Sequence, residues 1–129
     1  MAGNDDAFLR KADESLAGAA SELANRRYND CANRCYYACF QAAVAALIGE
    51  GVRPGSDGQW SHSAVQTQFV GQFINRRKRL SPEYRDTLSR AFLVRQTADY
   101  DTEDVSEIQA TRALRRTQVF VAAIKEGEA

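Results

Sequence analysis

The sequence predicts an all-α fold, an antiparallel up-and-down bundle of four main helices plus one additional helix. Three observations carry that expectation. Apolar residues recur at spacings of three and four in one segment after another, which places them on one face of a 3.6-residue helix. No stretch alternates apolar and polar residues in the two-residue period of a half-buried strand. Breakers are few, and only 52–61, with Pro54, Gly55 and Gly58, interrupts the chain for long. With 129 residues and 44% apolar content, the chain fills one modest core, so a single domain over 1–129 is expected, its tail 125–129 frayed.

The first helix is read from Leu9, Ala12, Leu16, Ala19 or Ala20, and Leu23, with Lys11, Asp13, Glu14 and Glu22 on its other faces. Asn4 or Asp5 is expected to cap it, and it should end between Asn25 and Arg27. The stretch from Tyr28 to Gly51 is apolar around most of its circumference and should be the central helix, antiparallel to the first across a short link. Cys31, Cys35, Ala38, Ala42 and Ala45 form one stripe, with Ala32, Tyr36, Cys39, Ala43 and Leu47 beside it. Asp30, Asn33, Arg34, Tyr37 and Gln41 form a polar line within about 100°, either a solvated strip or the wall of a site. The evenly spaced cysteines stack on one face, where a disulfide between neighbours would distort the backbone; buried, reduced, space-filling thiols are expected.

A third helix should open near Ser61, with His62, Val65, Phe69 and Phe73 on one face through Asn75, and Ser63 with Gln66 fits a capping box. It closes in the basic run Arg76, Arg77, Lys78 and Arg79, which suits a helix C-terminus. Ser81, Pro82 and Glu83 form a restart signal for the fourth helix, whose inward stripe is Tyr84, Leu88, Ala91, Arg95 and Ala98, with Asp99 at its margin. Asp101, Thr102 and Asp104 are cap candidates for the last helix, with Ala110, Ala113, Leu114, Thr117, Phe120, Val121 and Ile124 facing inward.

A formal net charge of zero argues against a polyanionic partner held by bulk charge, while leaving local basic clusters open. No run of eighteen apolar residues exists, and the acidic N-terminus lacks the pattern of an export signal, so a cytosolic chain with no membrane association is expected. Arg95 lies in an apolar stripe, and a buried guanidinium needs compensation, which Asp99 at i+4 is placed to give. That pair is either a structural tie between helices or a cation held in a cleft for phosphate. His62 is the sole histidine, in the first turn of its helix, and no ligand set surrounds it, so no metal site and no cofactor is expected. Tyr36 is read as core and Tyr37 as rim, open to a stacked base; the basic run 76–79 and the trio Arg112, Arg115 and Arg116 are read first as solvated faces and second as weak RNA contacts.

N-R-C-Y-Y-A at 33–38 within a small-residue helix, S-H at 61–62 and R-Q-T-A-D-Y at 95–100 together resemble the HEPN domain family, in particular its small stand-alone prokaryotic branch. The resemblance spans nearly the whole chain. It implies the helical bundle already expected, usually as a homodimer, and often a metal-independent RNase that serves as a toxin beside a small nucleotidyltransferase. The family motif is an arginine followed four to six residues later by histidine. Arg95 matches the arginine, but Asp99, Tyr100 and Asp101 stand where the histidine would fall, so activity does not carry over intact. Tyr100 resembles a tyrosine that partners of some members modify with AMP. The resulting expectation is an RNA- or nucleotide-interacting component of a toxin-antitoxin or defence-like system, with Arg95, His62 and Asp99 as candidate catalytic groups and Asn33, Tyr37 and Tyr100 as candidate binding groups. The alternatives are a non-catalytic docking module for a nucleotidyltransferase and a purely structural dimer.

Overall fold

In the computed structural model, which describes residues 3–76 and 80–127 without the Arg76 side chain, every regular element is helical. The elements are α1 (Asn4–Ala24), α2 (Tyr28–Gly49), α3 (His62–Phe69), a π-helical continuation (Val70–Arg76), a 3-10 turn (Pro82–Tyr84), α4 (Thr87–Tyr100) and α5 (Glu107–Gly127). The side chains of the basic run 76–79 lie outside the described residues.

The central position of α2 follows from its composition. Twelve of its side chains are buried, most of them alanine and cysteine, so α1, α4 and α5 can all approach its axis closely. Contacts fix the directions. Ser15 and Gln41 are hydrogen-bonded at 2.8 Å while Gly18 lies beside Arg34, so α1 runs antiparallel to α2. Asn33 meets Asp99 and Tyr36 meets Phe92, so α4 is antiparallel as well. Cys31 faces Ala110 and Cys39 faces Thr117, which makes α5 run with α2. The four long helices therefore alternate in direction. All three thiols are buried and free, and burial pushes the Cys39 thiol up to about 11.

Several local expectations change. Gly3, not Asn4 or Asp5, occupies the cap of α1 and makes no side-chain bond; Asp5 and Asp6 sit in the first turn, where the helix dipole favours acids. Ser61 caps α3 by accepting from the Ala64 amide at 3.2 Å. Gln66 instead donates to the Arg85 carbonyl, so no box with Ser63 forms. The third helix widens to π geometry after Phe69, which brings Phe73 and Ile74 inward together. Ser81 caps only a 3-10 turn, and α4 proper begins at Thr87. For α5 the cap is Ser106: its hydroxyl accepts from the Gln109 amide at 3.1 Å while Gln109 accepts from the Ser106 amide at 2.9 Å. Asp104 serves Asn29 at 3.0 Å instead. The helix also persists through Gly127, past the point where fraying was expected.

Candidate functional site

The antiparallel packing of α4 on α2 lays the one cation of the α4 stripe against the tyrosine doublet of α2. Arg95 donates from Nε to Asp99 Oδ2 at 3.2 Å, one helical turn further on, and Asn33 Nδ2 donates to the same oxygen at 2.9 Å. The side chains of Arg95 and Asp99 keep 19% and 27% of their exposure, so the pair is largely but not wholly withdrawn from water. The guanidinium carbon lies 5.0 Å from the ring centroid of Tyr36, 5.5 Å from that of Tyr37 and 6.0 Å from that of Tyr100. Three aromatic faces and one carboxylate thus compensate the charge. The two terminal nitrogens of Arg95 have no hydrogen-bond partner among the described residues.

His62 joins this cluster through Tyr36. The Ser61 cap starts α3 at the level where α4 presents Phe92, and the imidazole stacks on that ring at 4.1 Å with 25° between planes. Its Nδ1 stands 3.4 Å from the Tyr36 hydroxyl. Burial, and secondarily the Arg95 charge, hold the His62 pKa below the ordinary histidine value, so the ring is neutral at pH 7. Burial also raises the Tyr36 pKa, with Arg95 pulling the other way, and the phenol keeps its proton.

The structure therefore gathers Asp99, Tyr37 and Tyr100 around Arg95, with Asn33 joined through Asp99 and His62 one tyrosine away. The polar line of α2 divides: Asn33 and Tyr37 serve this cluster, while Arg34 and Gln41 face α1. Tyr36, which sequence reasoning left in the core, and Phe92, which it did not single out, also belong to the cluster. A signal existed for the first, since Tyr36 follows Asn33 by three positions and so shares its face. Among the described residues no three His, Cys, Asp or Glu side chains gather as a metal-binding group, and no helix is long and apolar enough to cross a membrane.

With this geometry in hand, a family profile described as the HEPN domain matches residues 6–127. The chain belongs to the HEPN domain family. Two proteins of Methanocaldococcus jannaschii that bear the name "Putative toxin" are each 28% identical to it, one over 93% of this chain and 85% of its own length, the other over 88% and 74%. A protein of Archaeoglobus fulgidus named "UPF0332 protein" is 31% identical over 88% of this chain and 86% of its own length. In this HEPN chain the carboxylate of Asp99 occupies a position where the resemblance leads one to expect histidine, and it holds Arg95 by its Nε edge.

Proposed function

We propose that this HEPN chain is the toxin-like member of a prokaryotic toxin-antitoxin or defence-like pair, and that it grips RNA at Arg95. The observation that carries the reading is the geometry of that guanidinium: one edge is fixed by Asp99, tyrosine rings lie beside it, and its terminal nitrogens have no partner among the described residues. Such a group donates to two phosphate oxygens at once. Tyr37 and Tyr100, with 38% and 70% exposure, offer ring faces on which neighbouring bases stack.

Residual cleavage needs a base for the ribose 2′-hydroxyl. Neutral His62, in the tautomer whose Nδ1–H donates to the Tyr36 oxygen, has Nε2 free to accept that proton. The 2′-oxygen attacks phosphorus, the bond to the 5′-oxygen breaks, that oxygen takes a proton from water, and a 2′,3′-cyclic phosphate remains. Arg95 neutralises the charge that builds on the phosphoryl oxygens. The test incubates purified protein with tRNA and total RNA beside the Arg95→Ala and His62→Ala variants. Binding at least about tenfold weaker in Arg95→Ala is expected, a loss typical of a charge-assisted pair. Cyclic-phosphate ends should appear with wild type and vanish in His62→Ala. Identical background behaviour in all three proteins ends the reading.

A second reading rests on Tyr100, which projects from the last turn of α4 with 70% of its surface exposed. It makes the chain a docking module that presents this hydroxyl to a small nucleotidyltransferase. A mass increase on Tyr100 after incubation with ATP and a nucleotidyltransferase encoded next to this chain supports it; complex formation with an unmodified Tyr100 removes the modification and leaves docking. Both readings use a homodimer. They are supported by Leu93, 65% exposed, which shares an outward stripe of α4 with Tyr100. Light scattering of wild type against Leu93→Glu reads it directly.

A further inference from the structure

A second cluster of arginines lies on another face of the bundle. Arg90 is five residues before Arg95 on α4, which turns it about 140° away around the helix axis. With Arg115 and Arg116 of α5 it lines a hollow of about 310 Å³, walled further by Glu83, Tyr84, Thr87 and Val119. Three guanidinium groups stand against one carboxylate there, and none of the three makes a side-chain hydrogen bond or ion pair among the described residues. The side chain of Asp86 at the cap position leaves the first turn of α4 without a capping bond, so that turn offers amide donors at the same place. Thr87 is the telling member. It is only 8% exposed, it lines the hollow, and its hydroxyl has no hydrogen-bond partner among the described residues. The hydroxyl is not among the buried polar atoms left without a partner, so it is open to the solvent of the hollow and to whatever enters it. One side of the hollow is apolar: Tyr84, whose ring also meets Phe120 at 6.0 Å, and Val119, which keeps 49% exposure.

We infer that this hollow binds a phosphate-bearing ligand of nucleotide size. The phosphate takes hydrogen bonds from Arg90, Arg115, Arg116 and the Thr87 hydroxyl at the uncapped start of α4, and the sugar or base lies along Tyr84 and Val119. The volume lies in the range of small-molecule sites, and unpaired arginines with helix amides are the ordinary means of holding phosphate. A free nucleotide and a nucleotide within an RNA strand present the same chemistry. The inference does not depend on the role assigned to Arg95, because the two clusters share no residue.

The test titrates the full chain with ATP, with inorganic phosphate and with a labelled single-stranded RNA, in wild type, in the Arg115→Ala/Arg116→Ala double variant and in Thr87→Val. The arginines sit at the surface, and a far-UV spectrum confirms that the double variant folds. ATP affinity that falls at least about tenfold in the double variant, with phosphate competing for the same site, assigns the hollow to a free nucleotide. A comparable loss confined to the RNA assigns it to a strand. In either case Thr87→Val, which keeps the shape and removes only the hydroxyl, weakens the same ligand. The inference is overturned by a wild type that binds none of the three probes, or by a double variant that binds them as wild type does.

Discussion

A guanidinium cannot lose its charge at any pH a protein survives, so Arg95 is compensated where it stands, by the Asp99 carboxylate on Nε and by the neighbouring rings of Tyr36 and Tyr37. The guanidinium meets Asp99 with Nε and still keeps two terminal nitrogens for phosphate, whereas a lysine has a single ammonium for both partners. Arg95→Lys therefore recovers little: RNA affinity should fall by about as much as in Arg95→Ala, at least about tenfold, in a titration of labelled RNA. Full affinity in the lysine variant would mean that charge alone acts at this position. His62 makes a different claim. Its folded pKa lies below its unfolded value, so the unfolded chain binds more protons, and stability is complete above the ordinary histidine pKa near 6.5. It is lost as pH falls from that value toward the lowered folded pKa. Melting temperature should drop across that window in wild type, and part of the drop should disappear in His62→Gln. The helical wheel sent Arg95 inward and put Asp99 beside it from sequence alone. It could not show that Tyr36 touches both Arg95 and His62, because a wheel describes one helix and that contact joins three.

Helix ends in this protein are decided by two or three hydrogen bonds each, and one of them carries strain. Between α1 and α2 the Arg26 amide donates to the Leu23 carbonyl at 3.0 Å and the Arg27 amide to the Glu22 carbonyl at 2.8 Å, a Schellman closure that needs a left-handed residue at Arg26. Arg26 adopts φ 61°, a conformation that costs a side-chain-bearing residue roughly 1 kcal/mol and glycine almost nothing. Arg26→Gly should raise unfolding free energy by up to about 1 kcal/mol in urea titration; a loss of that size would show that the arginine side chain does something there that the turn does not reveal. The same scale explains what sequence could and could not give. Helix existence was legible because Leu9 to Leu23 and Ala110 to Ile124 repeat with helical spacing over five or more positions. The ends were less so: Ser81-Pro82-Glu83 starts only a 3-10 turn, and the Ser106–Gln109 box was overlooked in favour of the acids just before it. Capping groups compete locally for a few amides, and periodicity says nothing about which wins. The widening after Phe69 was equally silent, since Val65, Phe69 and Phe73 fit an unbroken α-helix.

Across the whole molecule the seventeen basic and seventeen acidic residues cancel, which sets how any nucleic acid must be held. A binder that works by bulk charge displaces many counterions, and its affinity falls steeply with salt, by about 0.7 in log K per phosphate and per unit of log salt for a single strand. Here the cations placed to meet a ligand form two small groups on different faces of α4, Arg95 among tyrosines and Arg90 with Arg115 and Arg116. Either group reaches one or two phosphates, and stacking on Tyr37 and Tyr100 adds affinity that salt does not screen. Affinity for single-stranded RNA should therefore decline gently, with a slope of about −0.7 to −2 between low and physiological salt. Fluorescence anisotropy at four or five salt concentrations measures it. A slope steeper than about −4 would require six or more phosphates to be neutralised, more than these two groups can reach, and would bring in further basic residues such as the sequence run 76–79.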